Sequence, residues 1–94
     1  DFQQDAIIRF YETAGWPTTL MAVNAIGFLC EAADHHPELT VSWGKLSVRL
    51  NTHTAGGVTD KDLELAREID RLVLWRPGTG SALRGTPRKF VREG

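Results

Sequence analysis

The chain holds one cysteine, Cys30, and one methionine, Met21, in 94 residues. A single cysteine excludes an internal disulfide and any CxxC zinc knuckle, and it is compatible with a reducing compartment. Long hydrophobic runs are missing too. The longest apolar stretch, Leu20 to Ala33, is broken by Asn24 and Glu31. It falls short of the roughly 20 residues that cross a bilayer, so no membrane span is expected; no secretory leader is visible. Net charge is scarce: a formal −1 gives no whole-chain case for nucleic acid, which needs clustered cations. The chain opens on Asp1 with no initiator methionine, and residue 1 is expected not to be the native start.

What is present bounds the rest. A chain this short is one small domain and buries only about two thirds of its unfolded surface. Its core is thin, and oligomerisation is a common remedy. Charge is unevenly spread. From Arg76 onward five cations (Arg76, Arg84, Arg88, Lys89, Arg92) face one acid, Glu93, a sum of +4, which leaves −5 on the remainder. That tail also contains Pro77, Gly78, Gly80, Gly85 and Pro87 and shows no periodicity. The expected organisation is an α+β domain over 1–75 followed by an irregular basic tail over 76–94, anchored through Phe90 and Val91.

Ala6 to Tyr11 is rich in strand formers. Pro17 suits the first turn of a helix, and Thr18 to Asp34 reads as that helix, ended by Pro37. One stripe of it is Ala22, Ile26, Leu29 and Ala33; the neighbouring stripe is Met21, Ala25, Phe28 and Ala32. A helix apolar over most of its girth needs cover on two sides, and a sheet plus a second subunit would supply both. Leu39 to Trp43 reads as a strand, with a two-residue turn at Gly44-Lys45. In the return strand, Leu46, Val48 and Leu50 alternate with Ser47, Arg49 and Asn51. Thr59 is an N-cap, with Asp60 and Asp62 in the first turn of a second helix whose stripe is Leu65, Ala66, Ile69, Leu72 and Val73. Strand–helix–strand–strand–helix predicts an antiparallel β-sheet with α-helices packed on one face.

All three histidines, His35, His36 and His53, fall between Glu31 and Asp62. Three readings compete. In the first they perform acid–base catalysis, with one neutral imidazole taking a proton while a protonated one gives a proton up. Glu31 and His35, four apart, would share a helix face, and Glu31 or Asp62 would fix a tautomer. In the second they bind a metal, but no HxH or HxxxH pair exists on one element, so no metal is expected. In the third they are structural, stabilising a helix C-terminus, while Asp62 and Thr59 merely cap a helix and Trp43 packs. Spacing alone favours this third reading.

The residues taken together alter the balance. Glu31-Ala32-Ala33-Asp34-His35-His36-Pro37-Glu38, then Trp43, His53 and Asp62, resemble the signature of the pterin-4a-carbinolamine dehydratase family. That signature is an acidic residue, three residues, His, His or Asn, and Pro, followed by an aromatic and a third histidine at set distances. Here Trp43 stands six positions after Pro37 and His53 ten after Trp43. Asn51 to Leu63 resembles the family's "TH…GGLT…D" segment, and the likeness runs from about Ala6 to Leu74.

The resemblance implies dehydration of 4a-hydroxytetrahydropterin to quinonoid dihydropterin without metal or bound cofactor. It also implies a four-stranded antiparallel sheet with helices on one face, a homodimer or homotetramer, and a cytoplasmic setting. His35, His36 and His53 would be the acid–base group, Glu31 and Asp62 its supporting carboxylates, and Trp43 a substrate contact. Exchange of Asp62 for an amide would then do less than loss of an imidazole. The alternative it carries is a non-catalytic relative that binds a protein partner through the first helix or basic tail. Relatives that assist Rubisco assembly in carboxysomes are one example.

Overall fold

A computed structural model describes residues 2–3 and 5–94. In chain order the elements are β1 (Phe2–Gln3), β2 (Ala6–Glu12), α1 (Trp16–Ala33), β3 (Glu38–Val41), β4 (Lys45–Leu50), a 3-10 turn (His53–Ala55), α2 (Asp60–Val73), a second 3-10 turn (Pro87–Lys89) and β5 (Arg92–Glu93). β2 and β4 lie side by side and antiparallel, with Ile7 opposite Leu50 and Tyr11 opposite Leu46. β3 pairs the far side of β4. The other side of β2 takes β1 at one end and β5 at the other, so every pairing is antiparallel. The α+β architecture is the expected one.

Alternation decides which face meets the helices. Leu46, Val48 and Leu50 of β4 point inward with Ile7 and Tyr11 of β2, against Ala22, Ile26 and Cys30 of α1 and Leu65, Ile69 and Val73 of α2. Each such aliphatic side chain contributes about 1.5–3 kcal/mol by leaving water. Burial also raises the pKa of the Cys30 thiol. Leu72 is exposed, so the α2 stripe is narrower than its pattern predicts. Thr59 and Asp62 form a reciprocal capping box at the start of α2, as the residue order suggested.

α1 is capped differently from expectation. It ends at Ala33, before Pro37 can act. Asp34 turns the chain at φ 52 in the left-handed region, which aspartate tolerates better than most residues. Its N–H reaches the Glu31 carbonyl, and the His35 N–H reaches that of Cys30, both at 3.1 Å. These are the two bonds of a Schellman cap. His35 therefore lies beyond the helix, and the shared helical face proposed for Glu31 and His35 does not exist.

The β3–β4 connection is also shifted by a residue. β3 stops at Val41 and β4 begins at Lys45, with the Ser42 N–H on the Lys45 carbonyl at 2.9 Å, so Trp43-Gly44 forms the tip. Gly44 suits a close approach: a Cβ there would stand 3.1 Å from the Thr13 carbonyl oxygen, and that backbone would have to give by a few tenths of an ångström.

Residues 76–94 fold back onto this body. Val91 joins the core, the Arg76 guanidinium bonds the Val91 carbonyl, and its centre lies 4.2 Å from the Phe90 ring centroid. Glu93 of β5 reaches Arg9, which forks onto Asp70 of α2 with two bonds of 2.9 Å. The buried Tyr11 phenol donates to the same Asp70. Burial, reinforced by that bond, holds the phenol protonated well above its ordinary range. Met21 and Phe28 of α1 stay in water, at 69 % and 78 % exposure. Among the described residues no helix is long and apolar enough to cross a membrane.

Candidate active site

The left-handed turn at Asp34 redirects the chain so that consecutive histidines diverge. His35 turns inward against the start of α2, with 16 % of its side chain exposed. His36 turns outward, and its Nε2 lies 2.9 Å from the Glu31 carboxylate, both groups well exposed. Each of these two histidines thus has its own carboxylate: Asp62 for His35, Glu31 for His36.

Asp62 is the hub of the site. Its side chain is fully buried, yet each oxygen is engaged. Oδ1 faces His35 Nε2 at 2.6 Å. Oδ2 accepts the Thr59 N–H at 2.9 Å and the Thr52 hydroxyl at 2.8 Å. Burial by itself would raise this carboxyl's pKa; the bonds from His35, Thr59 and Thr52 outweigh it and hold the pKa below the ordinary carboxylate value. An ionised carboxylate has no proton to give, so His35 Nε2 must carry one. Nδ1 then keeps its lone pair, and it has no hydrogen-bond partner among the described residues. Asp62 thus serves both as helix cap and as tautomer lock, joining two readings that compete at the level of sequence.

His53 arrives from the other side. It opens the 3-10 turn just past β4, and Gly56 at φ 70 closes that turn with its N–H on the His53 carbonyl. The preceding residue, Thr52, is pinned by a bridge to Gly57 while its hydroxyl bonds Asp62. The chain bearing His53 and the loop bearing His35 therefore meet at one carboxylate. The His53 imidazole is exposed, with no side-chain partner among the described residues.

Trp43 does not join them. It sits in the β3–β4 turn, 67 % exposed, its ring beside Gly15 and its carbonyl accepting the Thr19 hydroxyl. Those residues flank the N-terminal end of α1, whereas His35 follows its C-terminal end. An 18-residue helix separates the two by about 27 Å. The strand direction explains this: β3 leads away from the histidines and β4 leads back, so Trp43 marks the far turn. Within one chain, Trp43 therefore lies far from His35.

A groove of about 390 Å³ opens beside His35, within the range of small-molecule sites. Leu29 and Leu65 give it apolar walls; Asp34, Lys61, Glu64 and Glu68 give it charge. Among the described residues no group of three His, Cys, Asp or Glu side chains is arranged to hold a metal ion. Residue pattern alone missed Thr52. It stands inside the recognised Thr52-His53 pair, but a hydroxyl's partner ten residues away is not legible from spacing.

Known proteins resemble this chain in sequence and in fold. The family described as Pterin 4 alpha carbinolamine dehydratase matches residues 1–72. A protein of Aquifex aeolicus named "Putative pterin-4-alpha-carbinolamine dehydratase" is 49% identical over 73 residues, covering 78% of this chain and 74% of its own length. A protein of the same name from Natronomonas pharaonis is 43% identical over 72 residues, covering 77% and 78%. Among solved structures, a Brucella melitensis protein described as a transcriptional coactivator/pterin dehydratase superposes with a TM-score of 0.71 at 27% identity, over 77% of this chain and 78% of that one. A pterin dehydratase-like protein described as a RuBisCO assembly factor in the alpha-carboxysome shares the fold, with a TM-score of 0.65 at 16% identity over 87% and 88%.

Proposed function

Because this chain belongs to the pterin-4a-carbinolamine dehydratase family, we propose that it removes water from a 4a-hydroxytetrahydropterin to give the quinonoid dihydropterin. The reaction is redox-neutral. A proton leaves the ring nitrogen beside the carbinol carbon, the nitrogen lone pair forms the C=N bond, and the C–O bond breaks as the hydroxyl takes up a proton. Two imidazoles in opposite protonation states supply both transfers near neutral pH.

One observation carries the reading: Asp62 fixes His35 on Nε2 and leaves Nδ1 free, while Thr52 ties the His53 turn to the same carboxylate. In this scheme His35 and His53 move the protons. The Asp62 charge stabilises the imidazolium formed when His35 Nδ1 accepts one. His36, held by Glu31, orients the pterin. The decisive assay follows dehydration of synthetic 4a-hydroxytetrahydropterin against its spontaneous loss of water. A rate above that background is expected. A rate equal to it would end the enzyme reading and favour a binding role, for which residues beyond the family match expose Arg84, Arg88 and Lys89.

We infer in addition that the protein is a homo-oligomer in a soluble, cytoplasmic setting. Met21 and Phe28 present an apolar face that one chain leaves in water. Sedimentation equilibrium at micromolar concentration should show a dimer or tetramer that Phe28→Glu weakens. A stable wild-type monomer would contradict this.

A further inference from the structure

The Thr52 hydroxyl moves no proton in the scheme above, yet its connections are specific. It lies 2.8 Å from Asp62 Oδ2 and 2.8 Å from the Thr59 hydroxyl. The proton directions follow from the inventory of donors. Asp62, ionised, only accepts, so the Thr52 proton points to it. The Thr59 hydroxyl accepts the Asp62 N–H in the capping box; with the Thr52 proton on Asp62, its own proton goes to Thr52 at 2.8 Å, the shorter of its two contacts, the other being Asp62 Oδ2 at 3.4 Å. A chain of three groups, Thr59 to Thr52 to Asp62, therefore ends on the oxygen opposite the one that binds His35.

We propose that Thr52 is a positioning residue: its hydroxyl holds Asp62 Oδ2 so that Oδ1 stays on His35 Nε2, keeping His35 in the tautomer with a free Nδ1. Thr59 alone does not fix the carboxylate: its N–H at 2.9 Å and its hydroxyl at a long 3.4 Å both end on Oδ2, and the group can still swing about that oxygen. A second donor, arriving from the end of β4, removes that freedom. The same residue is bridged to Gly57 through its backbone and precedes His53. One threonine thus registers the His53 turn and the His35 tautomer together. The kinetic consequence rests on the dehydratase reading; the spectroscopic one does not.

The test measures the ring ¹⁵N shifts of His35 in the wild type, Thr52→Val and Thr52→Ser, alongside turnover. The wild type is expected to show a protonated Nε2 and a bare Nδ1. Thr52→Val should give a mixed tautomer population and lower kcat by about 10-fold, the lower end for partners that orient a functional histidine, with KM unchanged. Thr52→Ser should restore both. If Thr52→Val fails to fold, Thr52→Cys, whose thiol is a weak donor, serves in its place. A folded variant that keeps a single Nε2–H tautomer and wild-type kcat overturns the proposal. If the wild type does not exceed the spontaneous rate, the pterin reading falls while the nitrogen shifts still decide the role of Thr52.

Discussion

Replacement of His35 by alanine is expected to lower turnover by about 10²–10⁴-fold, the range of a single general acid–base group, and His53→Ala by a similar factor. The two variants should differ in stability. His35 fills the space over a fully buried carboxylate and supplies the partner of Asp62 Oδ1. Without it, that oxygen loses its donor, a loss that typically costs about 1–3 kcal/mol. His53 is exposed and has no side-chain partner among the described residues, so His53→Ala should unfold at the wild-type urea concentration. If both act in one proton cycle, the double variant should be scarcely slower than the worse single one. Full turnover in both single variants would leave the family intact and remove these residue roles.

Asp62→Asn is expected to be nearly as damaging to turnover as loss of an imidazole, at about 10²-fold or more. A cap-only view of Asp62 predicts a mild effect, since the amide oxygen can still accept the Thr59 N–H. The geometry argues otherwise. With its oxygen turned to Thr52 and Thr59, the amide presents N–H to His35 Nε2. The ring must then accept there and carry its proton on Nδ1, the wrong tautomer for a base at that position. The ring ¹⁵N shifts of His35 should invert in this variant.

Acid stability provides a second reading of the same change. The Asp62 pKa is lowered on folding, so its stabilisation is complete above the ordinary carboxylate value of about 4. It disappears as pH falls through the lower folded value. The urea midpoint of the wild type should therefore drop below pH 4 more steeply than that of Asp62→Asn. Equal slopes would mean that Asp62 is not the charged hub described here.

Local rules governed much of what the residue order decided. The alternation of Leu46, Val48 and Leu50, the stripe of Leu65, Ile69 and Val73, the Thr59 cap and the antiparallel α+β layout all depend on spacings within one element. The histidine spacing and its acidic companions carried the family resemblance. Only the tertiary structure decided which carboxylate serves which imidazole. That pairing turns on a single left-handed residue, Asp34, which ends α1 early and sends His35 and His36 in opposite directions. The places of Thr52 and Trp43 were not legible for a related reason. Each was close in sequence to the histidine motif, but hydrogen bonding to the N-terminus of α2 brought Thr52 into the site, and the course of β3 carried Trp43 to the opposite end of the sheet. Sequence distance fixes a neighbour's reach, while its direction is set by turns and pairings formed with residues far along the chain.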